Sequence, residues 1–155
     1  MSVAKILKKK NYLAMIENAA KGENWMFRNF YVEQDGQEID TLNNGRLSCA
    51  VLVSSILYFN KLIKDIHANV LSVNKDMEES GWYEIKELRP GAVLVWEPKI
   101  GIDDGEEHYH DGFYVGNDMA VSNDSKGTGF PWKHHYTYND TRKIEKIYWH
   151  PDLDE

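Results

Sequence analysis

Apolar positions along this chain keep two different rhythms. Ile6, Leu7, Leu13, Ile16 and Ala20 recur at roughly helical spacing and Lys21-Gly22 supplies an ending, so an amphipathic helix is predicted over residues 4–20. Residues 23–44 are polar with scattered aromatics (Trp25, Phe27, Phe30, Tyr31) and read as a long loop with little regular structure, laid over something. A second helix is predicted over 48–64. Its body (Ala50, Val51, Leu52, Val53, Ile56, Leu57, Tyr58, Phe59, Leu62, Ile63) is apolar nearly all the way round. A soluble helix of that kind is buried on most sides and forms the middle of a fold. Ser48 before it is a good N-cap, its hydroxyl able to take an orphan amide of the first turn.

A short helix over 70–80, closed at Gly81, ends the helical part. From Trp82 the rhythm shortens to that of strands. Strands are expected over 82–88, 92–97, 108–115, 119–123 and 143–149, with turns at Arg89-Pro90-Gly91 and Gly116-Asn117-Asp118. Residues 100–107 form an acidic, glycine-containing loop and 127–132 another loop. Helices first and hairpin-connected strands afterwards make an α+β protein with an antiparallel sheet. No repeat, low-complexity tract or linker divides the chain, so one domain over 1–155 is expected.

Composition narrows the partners. With 25 acidic against 18 basic side chains the net charge is −7, which argues against nucleic acid, anionic membranes and polyanionic polymers as ligands. Lys5, Lys8, Lys9 and Lys10 cluster, but Asn11, Tyr12, Glu17 and Asn18 interrupt the apolar run that a signal peptide would need. No stretch matches a membrane span, and a cytoplasmic protein is the expectation.

The chain has a single cysteine, so an internal disulfide and a cysteine-based zinc site are both excluded. Cys49 is a core filler, a reactive thiol or an accident; taken alone it reads as a buried thiol without chemistry, and only its coupling to the hairpin that follows turns the reading towards a nucleophile. At the first turn of a buried helix, unpaired amides and the helix dipole stabilise a thiolate and can hold an oxyanion. A nucleophile needs a base, and a base an orienting partner. His110 opens a predicted strand, and Ser122 and Asn123 lie on the strand that hairpins back beside it.

The order of these segments carries a resemblance. A cysteine opens an apolar helix. Arg89-Pro90-Gly91-Ala92-Val93-Leu94-Val95-Trp96 follows, and then His110-Asp111-Gly112-Phe113-Tyr114-Val115-Gly116-Asn117. From about Leu47 to Asn123 the chain resembles the NlpC-like cysteine peptidases and their relatives the CHAP amidases. Those families carry a strand opening on Pro-Gly-Asp and a hairpin of the His-x-Gly type. The resemblance implies a papain-like fold in which the cysteine helix packs on an antiparallel sheet. It further implies that Cys49 is the nucleophile and His110 the general base of a cysteine hydrolase that cleaves an amide bond without a cofactor. Peptide, peptidoglycan-fragment or small amide substrates follow from it. Gapless counting puts Ser122 at the third, orienting position, while Asn123 is chemically the better partner for a ring N–H. Only one can face His110, because strand neighbours point to opposite faces.

The chain departs from the family pattern at Ser48, at Ala50-Val51 and at Ala92 after Gly91, and has no clear counterpart of the upstream Tyr-x-x-Gly-Gly region. These departures admit an alternative: a catalytically inactive binding module on the same fold, with a protein partner. Other features have plainer readings. His108 and His110 with Glu106 and Glu107 are a weak metal signal, and His134-His135, whose rings would diverge, reads as loop rather than ligand. The acidic run from Asp103 to Glu107 lacks the ligand spacing of a calcium loop. Trp82, Trp96 and Trp149 read as packing residues, and Trp25 and Trp132 as loop residues able to line a cleft.

Overall fold

The computed structural model describes residues 1–101 and 104–155. Its helices are α1 (Lys8–Ala19), α2 (Cys49–Phe59) and α3 (Val70–Glu79). A small antiparallel hairpin, β1 (Tyr31–Gln34) with β2 (Gln37–Asp40), precedes α2. The remaining strands are β3 (Tyr83–Glu84), β4 (Val93–Ile100), β5 (Glu107–Gly116), β6 (Met119–Asn123), β7 (Pro131–His135) and β8 (Ile144–Trp149). They form one antiparallel sheet in the order β3-β8-β4-β5-β6-β7. The protein is therefore α+β, with helices packed on an antiparallel sheet. Among the described residues no helix is long and apolar enough to cross a membrane.

The apolar run of α2 explains its place. Every residue from Cys49 to Leu57 is buried, as such a helix requires. It packs on β5 and β6, with α1 and α3 at its flanks. One core lies on this helix side and includes Cys49, Phe113 and Val121. A second, smaller cluster of Leu94, Trp96, Tyr114 and Ala120 covers the opposite face of the sheet. The two faces follow from strand alternation: Phe113 and Val121 turn towards α2, and Gly112, Tyr114 and Ser122 turn away.

Several local expectations need correction. The first helix begins at Lys8 and the second ends at Phe59, each shorter than its apolar pattern. Ser48 makes no side-chain cap: its backbone is already helical (φ −86°, ψ 0°), and among the described residues its buried hydroxyl has no hydrogen-bond partner. Residues 23–44 are not all loop, since Asp35 and Gly36, both at positive φ, close the β1–β2 hairpin. Residues 131–135 form β7, so Trp132, His134 and His135 lie on a strand rather than in a loop. The expected strand over 82–88 shrinks to two residues. Of the acidic run, Asp103 lies outside the described residues; Asp104 accepts from His108 Nε2 at 2.7 Å.

Candidate active site

Cys49 is the first residue of α2 and is 9% exposed. Its thiol points at β5 and donates weakly to the Tyr109 carbonyl at 4.0 Å. On the other side of His110 stands Asp111, fully buried, with neither carboxylate oxygen accepting a well-formed hydrogen bond. The thiol therefore touches the strand at the residues flanking His110. It does so where the β5–β6 ladder has not yet begun, since the first paired residues are Gly112 and Ser122. Among the described residues no hydrogen bond joins the thiol to the His110 ring itself.

The His110 ring lies on the opposite face of the sheet, level with Trp96 on the neighbouring strand. The two rings are 5.0 Å apart, and Trp96 is itself fixed by an indole N–H donated to the Tyr136 carbonyl at 2.7 Å. His110 Nε2 is 3.2 Å from Ser122 Oγ and 2.7 Å from Tyr138 Oη. Gly112 makes this approach possible: a Cβ there would lie 2.6 Å from the Val121 carbonyl and 2.9 Å from the Trp96 ring. Asn123 faces the other way. Its Nδ2 donates to the Gly45 carbonyl at 2.7 Å and to Ser125 Oγ at 3.0 Å, tying the segment before Cys49 to the sheet.

Burial controls the electrostatics. It pushes the Cys49 thiol up to about 12, and the Asp111 carboxylate beside it pushes in the same direction. The backbone N–H groups of Asp111 and Ala50 and the Arg142 guanidinium pull the thiol the other way without prevailing. Burial, then Arg142, His134 and Lys126, hold His110 well below the usual imidazole range. Asp111 itself is raised to about 7 by burial. At rest the thiol on one face is protonated and the imidazole on the other is neutral.

The structure thus gathers Cys49 and the backbone around His110 at one point, and joins Ser122 to the ring, while Asn123 engages Gly45. Asp111 and Tyr138 are absent from the residues expected at the site, and the sequence pattern places His134 in a loop. A signal existed for Asp111, a carboxylate just before the apolar stretch Phe113-Tyr114-Val115 of its strand; His134 lies in a segment without alternation, and nothing marked Tyr138. Among the described residues no group of three or more His, Cys, Asp or Glu side chains is placed to hold a metal ion. A polar cleft of about 410 Å3, bounded by Arg28, Asn44, Arg46 and Thr128, opens beside Gly45 just before Cys49 in the chain. Compared with known protein families and with curated proteins, the chain matches none, so the site is read from its own geometry.

Proposed function

We propose that this protein is a cysteine hydrolase of papain-like type, related to the NlpC-like peptidases, that cleaves an amide bond by acyl transfer. The carrying observation is the thiol of Cys49, at a helix N-terminus, resting against the residues that flank His110 while Ser122 engages that ring. Cys49 Sγ attacks the substrate carbonyl carbon, and the thiol proton passes through one water, past the unpaired start of the β5–β6 ladder, to His110 Nδ1 as the C–S bond forms. Because burial disfavours both thiolate and imidazolium, proton transfer accompanies attack rather than preceding it. The Cys49 amide faces the oxyanion. His110 then gives its proton to the leaving nitrogen as the C–N bond breaks. Water, deprotonated by His110, finally hydrolyses the thioester and restores the thiol. A peptide-like or small amide substrate fits this chemistry.

Acetylation by p-nitrophenyl acetate tests it. Intact mass and peptide mapping are expected to find one acetyl group on Cys49, absent in Cys49→Ala and formed about 100-fold more slowly in His110→Asn. One observation favours a non-catalytic module instead: burial, with the Asp111 carboxylate beside it, keeps the thiol protonated. Acetylation that is absent, or indifferent to His110, selects that second reading.

A further inference from the structure

The hydrogen-bond path continues beyond Ser122, and one fixed end sets its direction. His134 Nδ1 lies 2.7 Å from the backbone carbonyl oxygen of His135. A carbonyl only accepts, so Nδ1 carries the hydrogen. Burial holds His134 below the usual imidazole range, the ring is neutral, and its Nε2 is an acceptor. Ser122 Oγ, 2.7 Å from that Nε2, therefore donates its only hydrogen to His134. Towards Tyr138 Oη at 3.0 Å and His110 Nε2 at 3.2 Å the same oxygen can only accept.

Two arrangements remain for the last pair, Tyr138 Oη and His110 Nε2, 2.7 Å apart. If the phenol donates to His110, the Nε2 lone pair faces the lone pairs of Ser122, and Ser122 Oγ receives no hydrogen from either neighbour. If the phenol donates to Ser122, His110 Nε2–H donates to the phenol oxygen and every contact is satisfied. A buried network settles into the satisfied arrangement. The network is shielded: His110, Ser122 and His134 are buried, and His134 stacks on Tyr138 at 4.2 Å with Trp96 at 5.8 Å.

We infer that His134 is a positioning residue which, through Ser122 and Tyr138, fixes His110 in its Nε2–H tautomer and leaves Nδ1 as the basic nitrogen. Nδ1 is the ring nitrogen nearer the main chain, where the Cys49 thiol rests. The catalytic consequence rests on the acyl-transfer reading above; the tautomer does not.

Long-range proton–nitrogen correlation spectra of the protein labelled with 15N-histidine test the inference. At neutral pH, His110 is expected to show a protonated Nε2 and a pyridine-like Nδ1, and His134 the reverse. In His134→Leu the His110 nitrogens shift towards the average of two tautomers, and acetylation of Cys49 by p-nitrophenyl acetate falls about tenfold or more. His134→Gln, whose amide oxygen accepts from Ser122, restores both. A hydrogen on His110 Nδ1 in the native protein, or ring shifts unmoved in His134→Leu, overturns the inference. Should His134→Leu not fold, the native spectrum and that of Ser122→Ala decide. The stated tautomer together with an unreactive Cys49 supports the wiring and overturns the acyl-transfer reading.

Discussion

Asp111 shows how one side chain sets the terms for its neighbours. Its carboxyl is raised from 3.8 to about 7 by burial, so the folded protein binds that proton more tightly than the unfolded chain. The stability this confers is complete below pH 4 and is lost as pH rises towards 7. Asn does not titrate. Asp111→Asn is therefore expected to gain on the native protein across that interval, ending on the order of 2–4 kcal/mol ahead at pH 8. Urea unfolding at pH 4 and pH 8 checks it, and a difference that does not depend on pH contradicts it. The same substitution removes a negative charge beside the thiol, so the pH midpoint for Cys49 alkylation is expected to fall. His110 and His134 titrate in the opposite sense, losing stability as pH falls through the imidazole range, but do so in both proteins and cancel.

The elements show which parts of the fold the residue pattern could announce. Helix α2 was legible because an apolar run without polar relief has only one place to go, the interior. The β5–β6 hairpin was legible because Asn117 and Asp118 both adopt positive φ, as the turn residues suggested. Strand β7 was not. Its buried residues are Pro131 and His134, and the histidine is tolerated because Ser122 and the His135 carbonyl satisfy both ring nitrogens. The β1–β2 hairpin had a signal in Asp35-Gly36, but strands that leave most residues exposed carry no alternation. The failed cap at Ser48 has a backbone cause, since its helical dihedrals turn the hydroxyl away from the first-turn amides. At the centre of β5, Gly112→Ala is expected to cost about 1–3 kcal/mol, because the added methyl meets Val121, Ser122 and Trp96. Thermal unfolding reads the loss, and the His110 ring shifts should move with it. A variant as stable as the native protein contradicts the close approach.

Across the whole molecule, the thiol comes from the helical half of the chain and the imidazole from the strand half. Asn123 and Gly45 help fasten the two together beside the site. Cys49 and His110 could be named as candidates, because a helix-opening cysteine and a histidine two residues before a strand glycine stand out in a sequence. The division of the pair between two faces of one sheet, and the carboxylate beside the thiol, depend on packing that no linear pattern displays. The account's central claim, that Cys49 and His110 act together, is tested most directly by the pH dependence of iodoacetamide alkylation at Cys49 in the native protein and in His110→Asn. The prediction is a thiol that titrates well above the free value of about 8.5, alkylated at neutral pH at least about tenfold more slowly once His110 is replaced. A thiol alkylated equally fast in both proteins would contradict the claim, and one inert in both would make Cys49 a packing residue.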